Sequence, residues 1–160
     1  MSETYEEVIQ SEAYYRLAPS RAHELLVDRL HRLVAAALPL NSALQLRPPR
    51  TELLLDDRNL LRPDLMVVRQ SPDETAQIYL VAEVLEPTDH HVDTVIKKQL
   101  WADARLPRLW MVDPRYLNVE VYGCGEYGFT LSDILANHHP LTDPHLPGLR
   151  CPMAELFARV

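Results

Sequence analysis

The sequence predicts an α/β protein whose mixed β-sheet core is flanked by α-helices, and three observations carry that prediction. Residues 21–38 repeat Leu26, Leu30, Leu33 and Ala37 at the spacing of an amphipathic helix. Residues 78–85 form a nearly unbroken apolar run, followed by a helical pattern over 89–104 and a second apolar run over 108–112. That order is a strand-helix-strand unit, whose right-handed crossover makes the two strands parallel. Residues 118–122 and 127–131 flank Gly123, Gly125 and Gly128, which predicts a hairpin and therefore antiparallel strands as well.

The first helix has Ser20 placed to cap its free amides, and Pro39 closes it. Residues 43–46 and 51–55 suit two short strands, predicted to be antiparallel and joined by a stiff turn at Pro48 and Pro49. Asp56, Asp57, Arg58 and Asn59 make a polar turn, after which 64–68 reads as a strand opening on the carboxylate of Asp64. The apolar run 78–85 has the composition of a strand buried on both faces, except that Glu83 sits inside it. In the second helix Val92, Ile96, Leu100, Trp101 and Ala104 form the face packed on the sheet. A proline-rich tail over 140–152 leads to a short closing helix at 153–158.

Composition limits what the chain can be. With 160 residues and 47% hydrophobic content it can bury one core, so residues 1–160 are expected to form a single domain. The longest apolar stretches, 33–40 and 78–84, fall far short of the roughly 20 residues that a membrane helix needs. The first twelve residues carry Glu3, Glu6, Glu7 and Glu12 and no apolar leader, which places the expected location in the cytoplasm. Cys124 and Cys151 lack metal or redox spacing and are expected to be reduced thiols. A net charge of −7 argues against a broad non-specific grip on nucleic acid, so any phosphate-rich substrate must be held locally.

The charge is uneven. Asp73, Glu74, Glu83, Glu86, Asp89 and Asp93 follow one another with no Lys or Arg between Arg69 and Lys97, an acidic run suited to a hard divalent cation. Within it Glu83 is the most informative residue, because a carboxylate in a buried strand costs several kcal/mol unless a partner compensates it. A structural ion pair with Lys97 or Lys98 would suffice. Three neighbouring features point further. Asp64 opens the preceding strand, so pairing of the two strands brings both carboxylates to one sheet edge, where Asp64 and Glu83 could hold Mg2+ or Mn2+ with waters completing the shell. Lys97 shares a helix face with Asp93 and Trp101, which aims it at the sheet, where an ammonium could orient an attacking water or offset phosphate charge. Glu86-Pro87 then ends the strand and opens a loop to solvent. Together these parts suit metal-assisted phosphodiester hydrolysis, with Asp64, Glu83 and Lys97 as the catalytic set.

The runs RPDLMVV from Arg62, VAEVLEPT from Val81, Asp93 with Lys97 and Trp101, LPRLWMVDP from Leu106 and VEVY from Val119 resemble the Uma-type family of restriction-endonuclease-like proteins, within the PD-(D/E)XK nuclease superfamily. The resemblance extends through LPGLRC at Leu146 and AELF at Ala154. It implies a restriction-endonuclease-like sheet core, DNA as the expected substrate, and an active site on Asp64, Glu83 and Lys97. The superfamily lysine usually follows the acid by two residues; here that position is Leu85, and the lysine has moved onto the helix at Lys97. His23 matches a histidine of the family, and a plain helix-surface role is its expected one. Glu86 replaces a common serine, which adds a carboxylate able to bind a second metal or to repel phosphate. The family's hairpin before the first helix is expected to be shortened to residues 13–17, and a glycine normally found before the last core strand is replaced within Ala104-Arg105-Leu106-Pro107.

Two other readings are weighed. Zinc would draw on His90, His91, His138, His139 and His145, but adjacent histidines seldom bind one ion and the second group lies in a proline-rich loop. A fold retained without catalysis, as an interaction module or partner-dependent subunit, fits the net acidity and the lack of a basic stripe. Self-association into a homodimer would present two sites to a duplex.

Overall fold

The computed structural model describes residues 3–73, 75–89 and 91–160. Glu74 and His90, both counted among the candidate ligands, lie outside the described residues.

A six-stranded mixed sheet organises the molecule. Its core strands are β6 (Leu65–Gln70), β7 (Ala76–Val84), β8 (Arg108–Asp113), β9 (Asn118–Gly125) and β10 (Gly128–Ala136), with β3 (Leu44–Leu46) on the edge beside β6. β7 and β8 are parallel and every other pair is antiparallel, as the strand-helix-strand and hairpin patterns predict. β7 is buried from Tyr79 to Val84 because both of its faces are covered. On one face Leu80, Ala82 and Val84 pack against Leu26, Leu30 and Val34 of α1 (Arg21–Ala37). On the other, Val81 and Leu85 pack against Trp101 of the second helix, with Ile9 and Leu61 from a separate sheet.

That separate sheet has four strands in the order β2-β1-β5-β4, and the sequence reading missed most of it. β1 (Tyr5–Ile9) and β2 (Glu12–Arg16) form a complete hairpin before α1, so the expected shortening to residues 13–17 is wrong. The turn uses Gln10 at φ 53° and Ser11 at φ 68°. Such left-handed turn positions are normally signalled by Asn or Gly, and neither residue type is present to announce them. β4 (Leu53–Asp56) and β5 (Asn59–Leu61) make a second hairpin around the polar turn. β3 and β4 therefore belong to different sheets, and their expected pairing across Pro48 and Pro49 does not occur.

The proline-rich tail is also more ordered than predicted. β11 (Pro140–Asp143) pairs with β12 (Leu146–Pro152), and their Leu141, Leu146, Leu149 and Cys151 join the core beneath α1. α3 (Met153–Leu156) closes the chain. The second helix begins as a π-helical turn, Val92–Lys97, and continues as α2 (Lys98–Asp103). After it Arg105 adopts φ 56°, the conformation that a glycine at this loop would take without steric cost. No helix is long and apolar enough to cross a membrane among the described residues.

Candidate active site

Asp64 directly precedes β6, and the antiparallel register that pairs Leu65 with Ala82 sets it alongside Glu83 near the end of β7. The three sequence-predicted site residues do converge. Glu83 Oε1 lies 2.7 Å from Lys97 Nζ. Lys97 and Asp93 point inward from the π-helical turn, and Asp64, Glu83, Asp93 and Lys97 are all buried. A wide π turn inserted in a helix is a device often found at functional sites.

The N-terminal hairpin completes the cluster. Glu7, fully buried on β1, sits between two cations: its Oε2 is 2.9 Å from Lys97 Nζ, and its Oε1 accepts a 2.9 Å hydrogen bond from Arg16 Nε. The Arg62 amide donates to Glu7 Oε2 at 2.8 Å. Arg16 then donates through Nη2 to Asp93 Oδ1 at 2.7 Å, linking the hairpin to the helix. Sequence reasoning missed Glu7 and Arg16. Their signal was faint: Tyr5, Glu7 and Ile9 alternate on the inward face of a five-residue strand.

Asp64 is held from a different side. His23 Nε2 lies 2.9 Å from Asp64 Oδ1, and the Val84 amide donates to Oδ2 at 2.9 Å. The other ring nitrogen of His23 is 3.0 Å from Glu86 Oε1, so the imidazole bridges two carboxylates. The expectation of a helix-surface histidine is therefore wrong, because His23 is buried against the sheet end. Ser20 caps α1 by accepting from the His23 amide and donates its hydroxyl to Glu86 at 3.0 Å. Glu86 is thus engaged in the protein. Arg50 approaches from the loop before β4, with Nη1 3.5 Å from Asp64 Oδ1 and Nη2 2.9 Å from Glu24. Arg50 Nη1 is buried and makes no hydrogen bond among the described residues.

Electrostatics divide these groups. Burial alone would lower the Lys97 ammonium, but Glu7, Glu83 and Asp93 hold it above its ordinary value, so it stays charged. Burial would raise the carboxyls of Glu7 and Asp64; Lys97 and Arg16 hold Glu7 below the usual range, and His23 does the same for Asp64. His23 is raised by Asp64 and Glu86 against the opposing effect of burial. Burial raises the Asp93 carboxyl even against Lys97 and Arg16. Glu83 is raised as well. Burial pushes it up, Lys97 only partly offsets that, and Asp64, Glu7 and Asp93 add to it, so that it titrates near about 8. The crowding of buried carboxylates around Lys97 therefore favours the protonated forms of Glu83 and Asp93.

The acidic run of the sequence is dispersed rather than gathered. Asp73 closes a loop onto Thr75, Asp93 serves Arg16, and Glu86 serves Ser20 and His23. Among the described residues no group of three or more His, Cys, Asp or Glu side chains is arranged to hold a metal, and this includes His91, His138, His139 and His145. Asp64 and Glu83 are the residues whose hard oxygen donors could hold a divalent ion, the remaining positions falling to water and substrate.

A mixed sheet bearing a buried carboxylate pair and a helix-borne lysine at its edge defines a restriction-endonuclease-like protein. Residues 4–154 match the Uma2 family, described as "Putative restriction endonuclease", and the chain belongs to that family. The fold is similar to the crystal structure of a protein from Anabaena variabilis described as a putative nuclease, with a TM-score of 0.77 and 12% sequence identity over 96% of this chain and 89% of that one. The sequence matches none of the curated proteins.

Proposed function

We propose that this protein is a divalent-metal-dependent nuclease that hydrolyses phosphodiester bonds of DNA at Asp64, Glu83 and Lys97. The observation that carries this reading is the crowding of buried carboxyls around Lys97. Glu83 keeps a proton up to about pH 8 beside Asp64, although Lys97 is in contact with it. A purely structural ion pair would leave one acid and one base mutually neutralised. Here a second carboxylate, Glu7, shares the same ammonium, and a divalent cation would compensate what remains.

Asp64 and Glu83 are the residues that would hold Mg2+ or Mn2+. When bound, such an ion supplies a water of lowered pKa and offsets charge on the phosphate. The protein supplies the rest. His23 and the Val84 amide fix the orientation of the Asp64 carboxylate. Lys97, tied to Glu7, holds Glu83 at the sheet edge and keeps a positive charge next to it. Arg50 Nη1 has a donor to offer a non-bridging phosphate oxygen beside Asp64, and a planar guanidinium suits that role.

The test is cleavage of plasmid DNA by purified protein with Mg2+ or Mn2+, compared with isosteric Glu83→Gln, together with metal titration of the melting temperature. Cleavage by the native protein, at least a hundredfold weaker in E83Q, and a metal-induced rise in melting temperature that Asp64→Asn abolishes are the expected results. Equal cleavage by E83Q would reject the role given to Glu83. One observation favours a second reading: both oxygens of Asp64 already have protein partners, and the cluster is closed to solvent. An interaction module that keeps the network as structure alone would show no cleavage and the same metal response in native and D64N protein.

A further inference from the structure

On the same face of the sheet, the second helix separates the Asp93–Lys97 side from a cavity of about 250 Å3 at the carboxyl ends of β7 and β8. Carboxyl ends of parallel strands are where open α/β sheets place ligands. The cavity floor is apolar, made by Leu85 and Met111. Leu85 is two residues from Glu83, and Lys98 adjoins Lys97 in sequence, so the same strand and helix carry residues of both places.

The charged groups at its rim are not equivalent. Asp113 is committed to Arg115, at 3.0 and 3.2 Å, and Glu120 accepts from the Tyr122 hydroxyl. Lys98 differs. Its ammonium is seated 4.1 Å from the centre of the Tyr122 ring and has no carboxylate partner among the described residues. Cation–π contact fixes an ammonium without neutralising it, so an anion can still be received there. Tyr116 lines the same cavity; the Arg115 guanidinium lies over one face of its ring, 5.3 Å from the centre, and at 70% exposure the residue keeps aromatic surface open to solvent.

A fixed ammonium and an exposed aromatic ring flanking a small apolar floor match the two ends of a nucleotide. We propose that this cavity is a nucleotide subsite, where Lys98 receives a phosphate and Tyr116 stacks a base. Aromatic stacking of this kind requires a base freed from its neighbours in the helix, so the subsite favours a strand end, flap or single strand over an intact duplex. The choice of strand rests on the nuclease reading; nucleotide binding itself does not require cleavage.

Calorimetric titration with dAMP in EDTA tests it, with deoxyadenosine and inorganic phosphate as partial probes. Native protein is expected to bind dAMP at one site. Lys98→Ala and Tyr116→Ala should each weaken binding roughly tenfold. Deoxyadenosine should bind more weakly than dAMP and be indifferent to K98A. Both variants alter side chains outside the core, and unchanged melting temperatures would show that they fold. Absence of saturable dAMP binding, or binding by K98A and Y116A as tight as by the native protein, overturns the subsite. If dAMP binds as stated and no DNA is cleaved, the nuclease reading fails and the subsite stands; cleavage without dAMP binding sinks the subsite alone.

Discussion

At the scale of single residues, the chemistry is concentrated in how one ammonium serves two carboxylates. Lys97 contacts both Glu7 and Glu83, and Arg16 also pairs with Glu7, so Glu83 is less well compensated than Glu7. This has a definite sign in stability. Glu83 titrates at 4.5 when unfolded and near about 8 when folded. The folded protein therefore binds the proton more tightly, and its contribution is fully present below pH 4.5 and is lost as pH rises towards 8. His23 is raised as well and adds a loss above 6.5. Glu7 and Asp64, which are lowered, act oppositely: their contribution is present above their unfolded values and is lost as the medium is acidified below 4.5 and 3.8. In EDTA, urea denaturation should show stability declining from pH 5 to 8. E83Q, which cannot ionise, should remove part of that decline, and an unaltered slope in E83Q would contradict the assignment.

At the scale of elements, the site depends on a tie between the N-terminal hairpin and the π-helical turn. Arg16 is at the end of β2, 4% exposed, and joins Glu7 on β1 to Asp93 on the turn. Removing one partner from such a buried pair strands the other charge, at a cost of about 3–5 kcal/mol. Arg16→Ala is therefore expected to destabilise the protein by that amount in urea unfolding. A double-mutant cycle with Asp93→Asn should give a coupling above about 1 kcal/mol. Additive effects would mean that the hairpin rests on the sheet through its apolar contacts alone, Ile9 and Tyr14 among them. Val92, Ile96 and Leu100 were legible as the apolar helix face because they recur at helical spacing. The register of Asp93, Lys97 and Trp101 was legible for the same reason.

At the scale of the whole molecule, one sheet divides the core into two apolar layers. α1, the β11–β12 hairpin and α3 cover one face, and α2 with part of the four-stranded sheet covers the other. Leu30 and Leu109 are buried in different layers, at 1% and 0% exposure. Leu30→Ala and Leu109→Ala should each cost about 2–5 kcal/mol through lost burial and residual cavity. Their effects should add to within about 0.5 kcal/mol, since the sheet lies between them. A large coupling in chemical denaturation would show that the layers communicate through the strands.

The sequence by itself determined the central sheet and the three residues proposed for catalysis. Periodicity marks helices and buried strands directly, and a lone acid in an apolar strand announces that it needs a partner. Lys97, one of the two lysines the sequence offered, is that partner, and tertiary structure alone decided what else meets there. Glu7, Arg16 and His23 reach the site from segments distant in sequence, through a hairpin whose Gln10-Ser11 turn carries no Gly or Asn signal and a helix whose histidine is buried only because Asp64 and Glu86 surround it. Local pattern reports which face of an element is apolar. It carries no information on which charged groups from separate elements meet there, and their meeting sets the charge balance of the site.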